Sequence, residues 1–157
     1  MSPDSIVTST LLTIFASFAV IILILAVVFW LTFVWLRRLA REREIAMRQR
    51  FPNARVVAVG ANFFGQESQG VMQLRGNGTL VITEDALVFE RWVARQEYRI
   101  PLSNITAVET PNHFLGKSIM KPLLKVVYQT DGVEDAMAWY VHNLSGIKAL
   151  LEQEIRH

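Results

Sequence analysis

Residues 76–89 read GNGTLVITEDALVF: two short apolar runs, 79–83 and one reaching from 86 to 93, flank the polar pair Glu84-Asp85. Runs of this length, rich in β-branched and aromatic residues and parted by a two-residue polar turn, form antiparallel strands. Gly76-Asn77-Gly78 supplies a turn immediately before them. The texture repeats outward in both directions. Further strands are expected at 55–61, 70–75, 96–100, 105–109, 123–129 and 133–141, with turns at 101–104 and at Asp131-Gly132. Residues 54–157 therefore read as a small mainly-β domain.

The last segment of that domain has a different period. Leu144, Ile147, Leu150, Leu151 and Ile155 fall on one helical face, with Asn143 or Ser145 placed to cap the first turn. A helix this short is not stable alone and needs an apolar surface to cover. The open end or seam of a bent sheet is such a surface.

About seven strands followed by one closing helix is an order that resembles the pleckstrin-homology-like (PH-like) superfold, in particular the bacterial PH and GRAM-type domains. The residues that carry the resemblance are GNGTLVITEDALVF at 76–89 and YRIPLSNITAVE at 98–109. The resemblance covers roughly 55–156 and implies a strongly bent sheet or barrel closed by the C-terminal helix. Its motifs are structural, so it implies little about activity. Membrane-binding PH domains hold phosphoinositide headgroups with a basic cluster between their first two strands. Residues 61–69 here, ANFFGQESQ, contain no Lys or Arg, so that route to phosphoinositides is not expected.

At the other end of the chain, Ile6 to Leu36 contains no charged residue. A helix rising about 1.5 Å per residue crosses a hydrocarbon layer of about 30 Å in about 20 residues, so 6–36 reads as one transmembrane helix behind a stub of residues 1–5. A cleaved secretory signal has a basic start, a short apolar core and small residues at its end. This run has none of these, and Phe29, Trp30 and Trp35 lie at its end. All 16 Lys and Arg follow it. Basic flanks are retained in the cytoplasm, which places the N-terminus outside and the domain at the cytoplasmic face of the plasma membrane. Asn77-Gly78-Thr79, Asn104-Ile105-Thr106 and Asn143-Leu144-Ser145 match the N-glycosylation pattern. Their glycosylation in a secretory host would reverse this orientation.

Residues 37–53 read as a basic juxtamembrane helix and linker that ends at Pro52. Arg38 with Glu42, and Glu44 with Arg48, are spaced for i,i+4 pairing. Arg37, Arg38 and Arg41 lie nearest the span, where each arginine gains about 1 kcal/mol from an anionic leaflet. They serve equally as a topology signal. Ser9, Thr13 and Ser17 recur every four residues, a spacing that lets a second helix approach and so permits self-association.

The formal net charge of +2 averages two unlike regions. Residues 37–55 carry seven arginines against Glu42 and Glu44, whereas 56–157 carry nine basic and eleven acidic residues. A slightly acidic domain is not a nucleic-acid binder. The absence of cysteine removes disulfides, thiolate nucleophiles and Cys-ligated metals.

Within the domain, Lys117, Lys121 and Lys125 in HFLGKSIMKPLLK form a second basic group for lipid headgroups or an acidic protein. Phe63 and Phe64 are adjacent, and neighbouring side chains of a strand face opposite ways. One ring then points outward as a contact, unless a folded-back loop buries both. His113 with Glu109, and His142 near Asp135, are the groups available for acid–base chemistry, but no nucleophile motif or metal-ligand spacing organises them. No catalytic residue, metal or cofactor is assigned. The expectation is a membrane-anchored, non-enzymatic module that presents a PH-like domain to a protein partner or to anionic lipid. The alternatives are a structural subunit of a larger membrane complex and a small membrane enzyme working through His113.

Overall fold

A computed structural model describes residues 3–93 and 96–155; within the first helix it describes the side chains of Leu12 and of every residue from Phe15 onward. The chain divides into two compact units, one ending at Arg41 and the other beginning at Glu42.

The first unit is helical throughout, part of helix α1, Pro3–Arg50. With no Gly or Pro after Pro3, nothing in its sequence breaks a helix. Every large apolar side chain named along it is exposed, from Leu12 at 72% to Leu36 at 50%. The stretch from Phe15 has an 18-residue window of mean hydropathy 2.9 with no part buried, and it is long and apolar enough to cross a membrane. Of the four-residue series, Ser9 and Thr13 lie outside the described side chains.

The second unit is a mainly-β domain. Its strands are β1 (Val56–Gln66), β2 (Gly76–Ile82), β3 (Ala86–Arg91), β4 (Glu97–Pro101), β5 (Ile105–Glu109), β6 (His113–Phe114), β7 (Lys117–Ser118), β8 (Leu124–Thr130) and β9 (Val133–Tyr140), followed by helix α2 (Leu144–Ile155). Seven of them make one antiparallel sheet in the order β4-β3-β2-β1-β9-β8-β5, and β6 and β7 form a separate hairpin.

The opening stretch folds as read. β2 and β3 pair from Gly78↔Arg91 to Ile82↔Leu87. Their turn closes by a Thr83 amide donating to the Ala86 carbonyl (2.9 Å) and by the Ala86 amide donating to Thr83 Oγ1 (3.0 Å). Gly78 is obligatory because a Cβ there would stand 2.3 Å from the Glu90 carbonyl oxygen and 2.5 Å from the Phe89 ring.

β1 crosses from one half of the sheet to the other by changing parity. Val56 and Ala58 face the central core, and so do Ala61 and Phe63. Strict alternation cannot deliver both pairs. The register against β2 shifts between Val59 and Ala61, where Gly60 takes a φ of +80°, so one extra residue returns the inward face to the odd positions. A second shift, against β9, falls between Phe63 and Gly65.

Phe63, Phe89, Tyr98 and Trp139 fill the centre, with ring centroids 5.2 Å (Phe63–Tyr98) to 6.3 Å (Phe89–Tyr98) apart. α2 adds Ile147 and Leu151, both buried. Asn143 is the cap: its Oδ1 accepts the Gly146 amide at 3.2 Å.

Three expectations change. Residues 70–75 are not a strand: β1 continues to Gln66, a short 3-10 turn follows at Glu67–Gln69, and the rest is irregular. The Gln73 side chain takes the place of a ladder there, accepting the Gln66 amide (2.9 Å) and donating to the Gln66 carbonyl (2.6 Å). The second unit begins at Glu42 rather than at 54, because Met47 is buried with Val81, Ala86 and Val88 and packs with Phe51, Ala54 and Val57. Finally, arginines of this segment pair with the domain. Arg50 Nη1 lies 3.0 Å from Glu90 and its Nη2 2.7 Å from Glu97, while Arg43 approaches Glu90 at 3.9 Å.

Candidate functional site

The lysines at 117, 121 and 125 each have a local contact. Lys117 is half-buried and donates to the carbonyls of Phe64 (3.1 Å) and Gln73 (2.6 Å). It is a strut between β7 and the β1–β2 connection. Lys125 pairs with Glu109 at 3.0 Å. Lys121 lies over the Tyr140 ring, 5.4 Å from its centroid. Lys117 and Lys125 therefore already have partners.

Phe63 and Phe64 both have no exposure. Alternation does send them opposite ways, Phe63 into the central core and Phe64 into a second cluster with Phe114, Leu123, Val127, Ala136 and Ala138. The β6–β7 segment supplies Phe114 to that cluster, and Arg75 stacks over the Phe64 ring at 4.2 Å. Burial on both faces removes the two rings as surface contacts.

The surface that replaces them is the β1–β2 connection itself. Six large apolar residues after Phe51 are exposed among the described residues, and three of them, Val71 (60%), Met72 (90%) and Leu74 (81%), stand in this one loop. Val93 (80%) stands in the β3–β4 loop. Arg91, at the end of β3, reaches across to the Leu74 carbonyl with Nη2 (3.4 Å), and the Trp92 amide donates to the Asn77 carbonyl (3.0 Å), so the two loops adjoin. Arg75 and Arg91 form no ion pair among the described residues. Arg75 instead donates to Asn62 Oδ1 from Nε (3.2 Å) and Nη2 (3.1 Å).

This apex is held in place from below. Asp135 on β9 accepts from the Gln66 amide nitrogen Nε2 (2.6 Å), the Ser68 backbone (2.9 Å), Ser68 Oγ (2.7 Å) and the Tyr128 hydroxyl (3.1 Å). Burial alone would raise the Asp135 carboxyl, but the hydrogen bonds from Gln66 and Ser68 outweigh it and hold the pKa below the ordinary carboxylate value. Burial, with the neighbouring Asp135 charge, pushes the Tyr128 phenol well above its ordinary value. An apolar loop fixed in this way meets a partner without first having to order itself. The signal for it was present in VMQLR, apolar side chains with a basic end, but the pattern was read as a strand.

Hollows also lie elsewhere on the domain, two of them bordered by β1 and by His113. Residues 56–61 of β1 have a strand partner on the β2 side only, since pairing with β9 starts at Asn62. A space of about 350 Å³ opens beside them, lined by Val56, Val59, Val141, His142 and Ile147 among others. The second, about 250 Å³, brings His113 together with Glu67, Glu109 and Lys125. Its charges are partly engaged with each other through the Glu109–Lys125 pair. The His142 ring lies tilted against Tyr140, 5.6 Å between centroids, and does not reach Asp135 in any hydrogen bond among the described residues. No three acidic or histidine groups are grouped to hold a metal among the described residues.

On the first unit, Arg37, Arg38 and Arg41 do come together. With Val34 they line a shallow hollow of about 160 Å³ on one side of α1.

No family model and no curated protein matches the chain. Among solved structures, the crystal structure of the C-terminal domain of an unknown protein from Leishmania infantum is similar in fold. It has 13% identity and a TM-score of 0.53, and the match covers 73% of this chain and 98% of that one. At that identity the likeness concerns the fold alone: this chain shares a β-domain architecture with that protein.

Proposed function

We propose that the protein is a membrane-anchored, non-enzymatic binding module that presents a PH-like domain at the cytoplasmic face to a protein partner. The observation that carries this reading is the pinned apex of Val71, Met72, Leu74 and Val93 with Arg75 and Arg91 beside it. Apolar side chains clustered on otherwise polar surface mark a contact site, and arginines with no ion pair among the described residues favour an acidic rim on the partner. The strand order β4-β3-β2-β1-β9-β8-β5 with a closing helix supports the PH-like assignment, as does the folding of residues 76–89 as strand, turn and strand. An α1 stretch long and apolar enough to cross a bilayer supports the anchor. Once a chain is tethered, its effective concentration at the membrane is already high. A lipid contact at the apex would add little localisation, whereas a protein contact adds recruitment.

The test is photo-crosslinking from position 72 of the full chain in native membranes, with Met72→Glu/Leu74→Glu as the control. The expected product is a discrete protein adduct that the double variant loses. Adducts with lipid alone would overturn the protein reading. A stoichiometric integral partner that survives the double variant would favour a structural subunit of a larger complex instead.

A further inference from the structure

The six arginines of α1 divide into two groups. Arg48 pairs with Glu44 (3.0 Å), Arg50 with Glu90 and Glu97, and Arg43 approaches Glu90. Arg37, Arg38 and Arg41 are exposed and form no ion pair among the described residues, and no acidic residue lies between Ile6 and Arg41. Their spacing places all three, with Val34, on an arc of about 100° around the helix. The 160 Å³ hollow lies among them. Trp30, 62% exposed, falls on the same arc about 10 Å nearer the apolar stretch. Arg37 is steadied by the Phe33 ring, 4.2 Å below its guanidinium carbon.

Three like charges within two helical turns repel one another, and an anion seated among them relieves that repulsion. Guanidinium forks match phosphate oxygens two at a time, which an ammonium does not do. A tryptophan at headgroup depth packs against the glycerol and upper acyl region of a lipid. We propose that Arg37, Arg38 and Arg41 form a binding site for the headgroup of an anionic phospholipid that carries more than one negative charge, with Trp30 lying along its upper chain. The site rests on the reading that the residues before it cross a bilayer. It reads lipid at the anchor, while the apex reads protein.

The test uses the full chain reconstituted in nanodiscs of phosphatidylcholine with phosphatidic acid or phosphatidylglycerol, followed by native mass spectrometry of the lipids retained. Phosphatidic acid should be retained in preference to both others. R37Q/R38Q/R41Q should weaken that retention at least tenfold, taking about 1 kcal/mol, or about fivefold, per arginine. R43Q/R48Q/R50Q removes the same number of charges and should leave retention within about twofold, since its arginines already have carboxylate partners. R37K/R38K/R41K keeps the charge and the orientation signal but loses the fork, and should weaken retention several-fold.

Equal losses in the two Gln triples, or no preference for the dianionic lipid, would overturn the site. Displacement of the lipid by millimolar inorganic phosphate would overturn the lipid assignment in favour of a free-phosphate site. Extraction of the chain from membranes by carbonate would instead refute the anchor, which separates the two failures.

Discussion

α1 runs through two arginine-bearing stretches of different fate. Up to Arg41 most of its large apolar side chains are exposed, with Val34 and Leu39 half-exposed, and its three arginines form no ion pair among the described residues. From Glu42 to Arg50 the same helix buries Met47 to 5% exposure against β2 and β3, and Arg43 and Arg50 close on Glu90 and Glu97. Helix propensity does not separate the two, and arginines occur in both. What separates them is the availability of partners: the second stretch meets an apolar outer sheet face and the carboxylates of Glu90 and Glu97, whereas Arg37, Arg38 and Arg41 form no ion pair among the described residues. A basic helix following an apolar one is thus two devices in one sequence, and only tertiary contacts show where one ends.

The comparison breaks most visibly if the chain is cut at its edge. A chain beginning at residue 42 should fold as stably as the domain within the whole protein, whereas one beginning at residue 52 loses Met47, Phe51 and the two arginines, Arg43 and Arg50, that pair with Glu90 and Glu97. The cost should be about 3 kcal/mol or more, read by urea unfolding. Equal stability of the two chains would show that the helix end lies on the domain without supporting it. Next in size is Met47→Ala, which leaves a cavity over Val81 and Val88 and should cost about 2 kcal/mol. Ile45→Ala, at a site already 56% exposed, should cost almost nothing in the same assay.

Much of this domain was legible in the sequence because its signals are local. The Thr83–Ala86 turn, the β2–β3 pair and the Asn143-capped α2 follow from period, turn chemistry and capping. Three things were not legible. The parity switch at Gly60 was hidden because a single glycine in an apolar run looks the same whether or not it forms a bulge. The double burial of Phe63 and Phe64 is one of the two outcomes the sequence leaves open, and what it does not show is the hairpin that achieves it, β6–β7, whose two-residue strands leave no periodicity. The apex at residues 71–74 was mistaken for a strand because side-chain bonds from Gln73 substitute for a ladder, and sequence pattern does not encode that substitution. The candidate site was least legible where it matters most. Lysines chosen for their charge turned out to be bonded inward or paired, and the exposed apolar loop lay in a stretch assigned to the sheet.

The pinned apex extends the same contrast between groups with and without partners. Asp135→Ala should cost about 1–3 kcal/mol by stranding the Ser68 amide and the Gln66 side chain. Local opening of residues 66–69 should register it in hydrogen exchange. The pH dependence follows from the two shifts. Because the folded Asp135 pKa is depressed, its contribution is present above the ordinary carboxylate value of about 3.9 and is lost as pH falls through the lower folded value. Because the folded Tyr128 pKa is raised, its contribution is present below the ordinary value of about 10 and is lost as pH rises towards the higher one. Protection of the Ser68 amide should therefore be flat from about pH 5 to 9 once intrinsic exchange is divided out. A step near neutrality would mean that another group titrates into this network.

Smaller again is Arg50→Gln. Arg50 meets two carboxylates, but its side chain is half exposed, so solvent screening limits the loss to about 1 kcal/mol. The loss should shrink in high salt.

The smallest expected effect is the sharpest test of the division at Arg41. R37Q/R38Q/R41Q removes as much charge as the whole paired group carries, yet it should change the urea midpoint of the domain by no more than about 0.3 kcal/mol equivalent, within the range of surface substitutions. Its three side chains have no carboxylate to desert, so no buried or paired charge is left behind when they go. A loss comparable to that of Arg50→Gln would mean that these arginines do support the folded domain. The hollow they line would then be a by-product of packing, and the apolar stretch of α1 and the domain would have to be treated as one cooperative structure.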